Sequence, residues 1–402
     1  MNQSRDNQPY DVIVLGAGAA GLMCAIEAGK RRRRVLVLER ADRIGKKILI
    51  SGGGRCNFTN LHTAPDNFLS ANPHFAKSAL ARYTPADFIR LVEKHGIAYH
   101  EKKLGQLFCD RASSDITAML EQECREAGVE IRCTTKIKEL KEDGQFTVQT
   151  EDAAFAAPSL IVATGGLSIA KIGATSFGYD LARQFGLKIV PPRAALVPLV
   201  FSERDRKRWC DLAGVSIEVI ASTSSANRNP KHNTKAAFRE NMLFTHRGIS
   251  GPAILQVSSY WDGKDSICLD LAPGRGLGTE LLTHGNRDPS SWKTLLREVV
   301  PRRFADRWLQ IYPLAGNSDR ALAAAERQLH GWELRPDEAE GYGKAEVTAG
   351  GVDTDELSAQ TMEARKVRGL FFIGEVVDVT GQLGGFNFQW AWASGFCAGQ
   401  AV

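Results

Sequence analysis

One stretch near the N-terminus constrains the fold more than any other: DVIVLGAGAAGLMCAIEAGKRRRRVLVLER, residues 11–40. VIVL is a continuous apolar run, as in a strand that is buried on both faces of a sheet. Gly16, Gly18 and Gly21 follow at once and lead into a segment of good helix formers, whose N-terminal N–H groups can face a pyrophosphate. A second apolar strand, VLVL, ends at Glu39, an acid placed to accept hydrogen bonds from a ribose 2′-hydroxyl. Strand, glycines, helix, strand and acid in this register predict a dinucleotide-binding unit.

Two later segments favour FAD over NAD as the dinucleotide. SLIVATGG (159–166) is an apolar strand that ends in a turn of small residues. GLFFIGEVVDVTGQLGGFNFQWAWASG (369–395) contains a strand that reaches Gly374-Glu375 and a glycine turn that opens a helix at about Phe386. The positive end of that helix can face the N1–C2=O edge of a flavin, where negative charge accumulates on reduction. A chain that begins with the ADP-binding unit and returns to it at its far end is organised as a flavin-binding domain.

A run of three glycines, SGGGRCN (51–57), follows the short apolar piece ILI, which is strand-like. A flexible loop could carry such a run. The favoured interpretation is that this backbone lies against the pyrophosphate and the isoalloxazine, where side chains do not fit. Arg55 or Lys47 could then offset phosphate charge, Arg40 could flank the adenosine, and Asn57 could donate a hydrogen bond to a flavin heteroatom.

The composition is that of an ordinary globular chain. Its 402 residues are 43% hydrophobic and 24% charged, enough for roughly two or three domains. The longest apolar pieces, such as AALVPLVF (194–201), are too short to span a bilayer, and the N-terminus lacks a signal-peptide pattern. The eight cysteines form no CxxC pair or regular spacing, so neither a disulfide framework nor a metal site is expected. We expect a cytoplasmic protein without a membrane partner.

The positive charge is concentrated in the middle of the chain. Residues 191–345 hold 22 Lys and Arg against 18 Asp and Glu, and therefore four of the five net charges. The basic runs are RDRKRW (204–209), NRNPKHNTK (227–235) and PRRFADRW (301–308). They indicate either a solvated basic face or a surface for a polyanion such as RNA.

The predicted fold class is α/β, with a discontinuous Rossmann-like FAD-binding domain of the glutathione-reductase type at 1–190 and 346–402. An inserted substrate domain occupies 191–345. It is β-rich over about 191–272, where short runs of Val, Ile, Thr and Ser predict strands, and carries a small helical subdomain over about 273–340.

Several long stretches resemble the YhiN-like flavoproteins, a family related to the BaiN-type flavin oxidoreductases. They include GAGAAGLMCA, KKILISGGGRCNFTN, KHGIAYHEKKLGQLFCD, NMLFTHRGISGPAILQ and AEVTAGGVDTDELSAQTMEARKVRGLFFIGEVVDVTGQLGGFNFQWAW. The resemblance implies an FAD domain split by an insert, and reduction of a uridine in large-subunit ribosomal RNA to dihydrouridine. Pattern and resemblance together assign the cofactor to Gly16, Gly18, Ala19, Ala20, Gly21, Glu39, Arg40, Lys47, Ser51, Gly53, Gly54, Arg55, Asn57, Ala163, Thr164, Gly165, Gly374, Glu375, Gly384, Gly385, Phe386 and Asn387.

Reducing the C5=C6 bond of a uracil requires a hydride, which the flavin supplies, and a proton donor for the other carbon. Cys56, inside the glycine run, could be that acid or a small apolar residue that fills space. Cys109 is an alternative donor, although its neighbours suggest a packed strand. His246 and Arg247, in FTHRGISGP, could protonate a base or contact a phosphate, or belong to a structural loop.

Two functions from different classes remain open at this stage, and a flavin-bearing binding or redox-sensing protein without turnover is a weaker third. One is an RNA-modifying flavoenzyme, and the other is a flavin oxidoreductase or oxidase that acts on a small metabolite. The sequence contains no second GxGxxG block, so NAD(P)H would bind transiently in the substrate cleft or a separate reductase would be needed. The alternating aromatics Phe386, Phe388, Trp390 and Trp392 would suit base stacking on a strand, but a helix start favours core and flavin packing.

Overall fold

A computed structural model of the chain describes residues 9–223, 236–285 and 287–402. The chain divides into two compact units, one comprising Met1–Arg193 and Val347–Val402 and the other Ala194–Glu346. The predicted insert, 191–345, begins three residues before the first residue of the second unit and ends one residue before its last residue. The basic run at 227–235 lies outside the described residues.

The elements are numbered in chain order over the described residues. The strands are β1 (Val12–Leu15), β2 (Val35–Leu38), β3 (Asn57–Asn60), β4 (Phe68–Leu69), β5 (Tyr99–Glu101), β6 (Gln106–Cys109), β7 (Glu130–Arg132), β8 (Ile137–Glu142), β9 (Phe146–Thr150), β10 (Ala154–Ala157), β11 (Ser159–Val162), β12 (Ile189–Ala195), β13 (Leu199–Val200), β14 (Ser216–Thr223), β15 (Ala237–Phe244), β16 (Gly248–Ser250), β17 (Ile267–Asp270), β18 (Trp332–Leu334), β19 (Glu338–Ala339), β20 (Val347–Val352), β21 (Leu370–Phe372) and β22 (Thr380–Gly381). The helices are α1 (Ala19–Lys30), α2 (Lys46–Ile50), α3 (Ala76–Arg82), α4 (Pro85–Lys94), α5 (Ser114–Glu126), α6 (Phe177–Gln184), α7 (Glu203–Trp209), α8 (Pro252–Ser258), α9 (Leu277–Thr283), α10 (Pro289–Val299), α11 (Arg302–Ile311), α12 (Asp319–His330) and α13 (Phe386–Ala401).

The first unit is built on a five-stranded parallel sheet in the order β21-β11-β1-β2-β7. Every residue of β1 and β2 is buried, which explains why both strands read as unbroken apolar runs rather than alternating ones. α1 connects these two strands, as a parallel pair requires. A three-stranded antiparallel sheet, β10-β9-β8, lies between β7 and β11 in the chain. The predicted α/β, Rossmann-like fold class is confirmed.

The C-terminal helix α13 packs directly on α1 through glycines. A Cβ at Gly395 would lie 2.5 Å from the carbonyl oxygen of Ala20, and one at Gly399 would lie 2.7 Å from that of Cys24, so only glycine allows this approach. α13 is apolar all round because it is buried all round. Among the described residues, no helix combines the length and apolar character needed to cross a membrane.

The aromatic side chains of α13 belong to the core rather than to an exposed stacking surface. Phe386, Trp390 and Trp392 are buried, and Phe388 is half-buried. The ring of Trp392 stacks on Phe88 with 4.3 Å between centroids. Their alternation in sequence therefore reflects packing of one helix on several neighbours.

The second unit contains a seven-stranded antiparallel sheet in the order β18-β17-β14-β15-β16-β13-β19. Helices α9–α12, at 277–330, occupy the part of the chain predicted to be helical. The chain then returns to the sheet through β18 and β19. These two strands lie within the segment that the sequence analysis predicted to be helical, about 273–340. Aromatic packing accounts for the return, because the Trp332 ring of β18 lies 4.9 Å from that of Trp209, centroid to centroid.

Two of the basic runs meet within the second unit, where they are partly neutralised. RDRKRW lies in α7 and PRRFADRW in α11. The Arg307 guanidinium donates to both carboxylate oxygens of Asp211, at 3.0 and 2.6 Å, and to the carbonyl oxygen of Arg208. Part of this positive charge therefore stabilises the contact between α7 and α11.

Candidate cofactor-binding site

The candidate site lies at the carboxyl ends of β1 and β11, in the first unit. β1 is flanked by β2 on one side and β11 on the other, so the connections that leave these strands diverge from the gap between β1 and β11. Such a switch point is where open α/β sheets bind their ligands. The residues assigned from sequence to the cofactor all belong to this unit.

The glycine loop after β1 is closely packed on one side and open on the other. A Cβ at Gly21 would lie 2.0 Å from the carbonyl oxygen of Gly16, and one at Gly16 (φ +106°) would lie 2.6 Å from that of Ala163. A Cβ at Gly18, by contrast, would meet nothing within 4 Å, and no side chain caps α1 there. The loop therefore leaves bare backbone at the N-terminus of α1, as a bound pyrophosphate requires.

Glu39 is fixed beside this loop at the end of β2. One carboxylate oxygen accepts a hydrogen bond from the N–H of Ala17 and the other from the N–H of Ala41, each at 2.7 Å. Each oxygen keeps a further lone pair that a ribose hydroxyl can use. Arg40 follows on the exposed side.

We expect Glu39→Gln to weaken FAD retention by about ten- to a hundredfold, because the amide replaces a charged acceptor with a neutral one and turns an NH₂ toward a backbone N–H donor. The measurement is the Kd of the reconstituted apoprotein for FAD, followed by flavin fluorescence. Glu139→Gln, on exposed β8, is the matched control. Equal Kd values for the two variants would contradict the role of Glu39.

The glycine run at 51–54 forms a tight turn whose backbone is anchored. Gly52 and Gly53 both have left-handed conformations, with φ of +57° and +67°. The N–H of Ser113 donates to the carbonyl oxygen of Gly54 at 2.8 Å, and that of Cys109 to the oxygen of Arg55 at 2.9 Å. These bonds favour the predicted structured loop over a free one.

The same turn also leaves open space beside it. A Cβ at Gly53 or Gly54 would meet nothing within 4 Å, whereas one at Gly52 would lie 2.9 Å from the ring of Phe108. The Ser51 hydroxyl donates to the carbonyl oxygen of Ile48, and the Arg55 side chain is exposed. On its open side, the turn therefore exposes backbone atoms of Gly53 and Gly54 without side chains.

The secondary structure of the residues that precede this turn differs from the prediction. ILI, expected to be strand-like, forms the end of the short helix α2. Ile48 is buried while Ile50 is exposed, so a helix that packs one face of 46–50 replaces the strand. Tertiary packing outweighs the β-propensity of isoleucine in so short a segment.

The turn before α13 lies against β3. Gly385 has φ +94°, and a Cβ there would lie 2.4 Å from the carbonyl oxygen of Thr59. The Asn387 side chain accepts from the N–H of Gly381 and donates to the Gly381 carbonyl, at 2.9 and 2.8 Å. No side chain caps the helix N-terminus, so its N–H groups are left to a ligand or to water.

The Asn57 amide lies between Gln106 and this turn. When its oxygen is oriented toward Gly385, it accepts a hydrogen bond from the Gly385 N–H at 3.2 Å, and its nitrogen donates to the carbonyl oxygens of Thr59 and Leu107. Gly384 rests on the Gln106 side chain. Contacts of Asn57 and Asn387 with a flavin stay predictions.

An ion-paired network joins the α2 segment to the C-terminal segment. The ammonium of Lys47 donates to Glu375 at 2.5 Å and to the hydroxyl of Ser168 at 2.8 Å. The other Glu375 oxygen accepts from the Ser168 hydroxyl and from the Thr348 N–H, each at 2.9 Å. Lys47 is therefore ion-paired with Glu375, and its contact with a phosphate stays a prediction.

Sequence reasoning missed Ser168 and Thr348. Their positions beside the small-residue runs TGGLS and VTAGG were the available signal. Thr164, by contrast, was assigned to the site, and its hydroxyl is buried without a partner among the described residues, next to Gly178. Gly165 (φ +73°) faces open space.

The two cysteines proposed as acids are both buried. Cys56 has no exposed surface and Cys109 has none. Burial raises the pKa of the Cys56 thiol well above its ordinary value and raises the pKa of the Cys109 thiol to about 12. Buried neutral thiols are poorly placed to protonate a substrate, so the packing alternative is favoured for both.

His246 and Arg247 lie at the tip of the turn between β15 and β16, in the second unit. Both side chains are exposed. The Thr245 hydroxyl accepts from the N–H groups of Arg247 and Gly248, which fixes the turn, and Arg247 lies 3.8 Å from Glu338. The pair is thus presented on an ordered loop, as a substrate-contacting role requires.

The geometry fits a dinucleotide that carries a flavin. Backbone with open space at Gly18, Gly53, Gly54 and Gly165 comes from three separate segments, and two helix N-termini, those of α1 and α13, lack side-chain caps. These are features that a pyrophosphate and an electron-accepting ring both use. Sequence reasoning found most of them, because glycines and helix starts are local signals.

Comparison with known proteins places the chain in a family. A family model described as "HI0933-like protein Rossmann domain" matches residues 10–401. The chain is similar to the "Ribosomal RNA dihydrouridine synthase" of Escherichia coli (strain K12), with 46% identity over 97% of each chain. It is 44% identical to the protein of the same name from Haemophilus influenzae (strain ATCC 51907 / DSM 11121 / KW20 / Rd), over 98% of this chain and 99% of that one.

A more distant relative is named for a reaction on a small molecule. The "3-dehydro-bile acid delta(4,6)-reductase" of Clostridium scindens (strain ATCC 35704 / DSM 5676 / VPI 13733 / 19) is 29% identical over 97% of this chain and 98% of its own. The family match and the two closer relatives span both units. The predicted kinship is therefore confirmed, and the chain belongs to the HI0933-like family of Rossmann-domain proteins.

Proposed function

We propose that this protein is an FAD-dependent oxidoreductase that reduces a uridine of large-subunit ribosomal RNA to dihydrouridine. The observation that carries the proposal is the identity of 46% and 44%, over nearly the full length, with two proteins named for that reaction. The similarity covers the inserted unit as well as the Rossmann unit, so it includes the part of the chain expected to contact substrate.

Each part of the Rossmann unit has a defined task in this proposal. The open backbone at Gly18 and the N-terminus of α1 hold the pyrophosphate, and Glu39 holds the adenosine ribose. The N-terminus of α13 would stabilise negative charge at the N1–C2=O edge of the ring, while Glu375, paired with Lys47, would accept hydrogen bonds from the ribityl or ribose hydroxyls. When bound, FAD supplies the hydride for one carbon of the uracil C5=C6 bond.

The protein must then deliver a proton to the other carbon. His246, with Arg247 beside it, is the preferred donor, because both are exposed on an ordered turn while Cys56 and Cys109 are buried. Arg247 would hold a phosphate next to the target base. NAD(P)H is the proposed reductant, bound transiently or acting through a separate reductase, and the proposed location is the cytoplasm.

The second candidate is reduction of a small metabolite, for which the inserted unit would cover the site. It is favoured by the similarity to a bile-acid reductase, but that relative is only 29% identical.

Mass-spectrometric mapping of dihydrouridine in large-subunit ribosomal RNA tests the proposal. RNA from cells that lack the protein is expected to lose one dihydrouridine, which the wild-type gene restores. RNA that carries the same dihydrouridines with and without the protein would remove the ribosomal RNA function and leave the metabolite reductase.

We expect His246→Ala to lower the rate of dihydrouridine formation by about 10²-fold, the usual contribution of a positioned acid, while the visible flavin spectrum stays unchanged. Single-turnover assays with pre-reduced enzyme measure the rate. His284→Ala, an exposed histidine of the same unit, is the control and should retain full activity. A His246→Ala protein that has lost its flavin, or that reacts at the normal rate, would refute the assignment.

A further inference from the structure

Exposed hydrophobic side chains are concentrated beside the candidate flavin site. Among the described residues, the large hydrophobic side chains that stand exposed are Ile50, Leu61 and Leu104, at 47%, 46% and 59%. Ile50 directly precedes the glycine turn at 51–54, Leu61 follows β3, and Leu104 lies in the turn between β5 and β6. Because β3 and β5 both pair with β6, Leu61 and Leu104 both lie next to strands of one small sheet. Grouping of this kind indicates an interaction surface.

The most exposed of them lies on a strained but firmly held turn, Lys102-Lys103-Leu104-Gly105, hereafter the KKLG turn. Leu104 has φ +52°, a left-handed conformation that leucine rarely adopts and that costs roughly 1 kcal/mol or more. The turn is held by hydrogen bonds from the Leu61 N–H to the Gly105 carbonyl at 2.8 Å, and from the Gly105 N–H to Glu101 at 3.0 Å. These hydrogen bonds therefore hold the turn in a strained conformation in which the Leu104 side chain is exposed.

A single buried side chain connects the KKLG turn to the flavin-facing turn. The Asn60 amide nitrogen donates to the carbonyl oxygen of Leu104 at 3.1 Å and to that of Gly384 at 2.8 Å. Its oxygen accepts from the N–H of His62 at 2.9 Å. Gly384 directly precedes Gly385, the N-cap residue of α13. Leu104 is thus presented next to the place assigned to the isoalloxazine.

The charges around Leu104 favour a polyanion as the partner. Lys102 and Lys103 precede it with exposed side chains, and the Lys102 ammonium lies 5.3 Å from the centre of the Phe108 ring. One carboxylate oxygen of the neighbouring Glu101 accepts from the Gly105 N–H, and its charge leaves residues 101–105 with one net positive charge. One apolar tip flanked by lysines is how proteins that unstack nucleic-acid bases are built, with the apolar group between bases and the cations on phosphates.

We propose that the KKLG turn engages RNA beside the flavin, with Leu104 as an apolar wedge that occupies the space of the extruded uridine. Lys102 and Lys103 hold the flanking phosphates. The inference rests on the proposed function, because a uridine within folded RNA must leave its stack before its C5=C6 bond can reach a flavin held by the Rossmann unit.

The decisive comparison is Leu104→Asn against Leu104→Met. Asparagine tolerates the left-handed conformation better than leucine, so a purely structural role predicts an equally or more stable and fully active variant. The wedge predicts at least tenfold slower dihydrouridine formation for Leu104→Asn and a rate within threefold of wild type for Leu104→Met. The assay uses dithionite-reduced holoenzyme and unmodified large-subunit ribosomal RNA transcribed in vitro, with the melting temperature as the stability readout. A fully active Leu104→Asn enzyme would overturn the wedge.

The lysines are tested by binding to the same transcript. Lys102→Ala/Lys103→Ala should weaken binding about tenfold and lower the slope of log K against log [salt] by about 1.4, the value for two single-strand phosphate contacts. Lys138→Ala/Lys141→Ala, on exposed strand β8, removes the same charge elsewhere and serves as the control. Identical behaviour of the two double variants would contradict phosphate contact at the KKLG turn.

These measurements separate the two proposals. A wild-type enzyme that binds the transcript without forming dihydrouridine would refute the proposed function, while the binding data on the lysine variants would still decide the role of the KKLG turn. Unchanged RNA binding and unchanged dihydrouridine yield in all KKLG variants would overturn the RNA assignment and leave a protein partner as the occupant of this surface.

Discussion

Gly18→Val is expected to yield a folded but colourless protein. A Cβ at Gly18 meets nothing within 4 Å, and the residue has φ −84° and ψ −172°, which valine adopts without strain. The protein itself therefore has room for the side chain. A pyrophosphate at the N-terminus of α1 does not, so we expect at least a hundredfold loss of FAD affinity. Visible flavin absorbance of the purified protein and a titration of the apoprotein with FAD measure the effect.

Gly21→Ala is the matched comparison. Alanine adds a smaller side chain than valine, but the folded protein has no space for it at position 21. Its Cβ would lie 2.0 Å from the carbonyl oxygen of Gly16, so the loop or α1 must shift, at a cost of about 3 kcal/mol. We expect a lowered urea midpoint for Gly21→Ala apoprotein and a nearly unchanged one for Gly18→Val. A Gly18→Val protein that binds FAD like wild type would exclude the pyrophosphate from this loop.

Local signals account for the parts of the molecule that were predictable. The buried strand VIVL, the helix that follows the glycines and the start of α13 at Phe386 are found where the sequence placed them. Each is marked within a few residues, by an unbroken apolar run or by glycines at a helix start. The three-residue run ILI carried no such marker. It forms part of a helix, in which Ile48 is buried and Ile50 is exposed.

Pairings between distant residues were not predictable from one sequence. Glu375 is 328 residues from Lys47 and 207 from Ser168, and no periodicity within the chain relates these positions. The same applies to the link from Asn60 to Gly384, across 324 residues. The burial of Cys56 also depended on which way the backbone turns after the glycines, at φ +49°. Cofactor contacts that use backbone were therefore easier to foresee than side-chain networks.

Glu123 of α5 provides the second large effect, on stability. Its side chain is 1% exposed and lies among two ammonium groups and an imidazole: Lys94 at 2.5 Å, Lys30 at 3.2 Å and His95 at 2.8 Å. Burial alone would raise the pKa of the carboxyl, but hydrogen bonds from Lys94, His95 and Lys30 outweigh it and lower the pKa to about 2. Lys30 ends α1, while Lys94 ends α4, so one carboxylate joins three helices of the Rossmann unit.

We expect Glu123→Gln to lower the free energy of unfolding at pH 7 by about 3 kcal/mol, the equivalent of the depressed pKa. Glu126→Gln removes a half-exposed acid of the same helix, 4.0 Å from Lys94, and should change stability by no more than about 0.5 kcal/mol. Urea unfolding of the holoprotein, followed by circular dichroism, gives both values. A smaller effect at position 123 than at position 126 would contradict the burial of this ion pair.

The same comparison has a defined pH dependence. Because the pKa of Glu123 is lower in the folded than in the unfolded protein, its contribution is complete above about pH 5 and declines as the pH falls from there toward 2. Roughly 2 kcal/mol of the difference between wild type and Glu123→Gln should therefore be lost by pH 3. The Glu126→Gln difference should stay near zero throughout. A wild-type advantage that is as large at pH 3 as at pH 7 would show that the glutamine variant is destabilised by packing rather than by loss of the carboxylate charge.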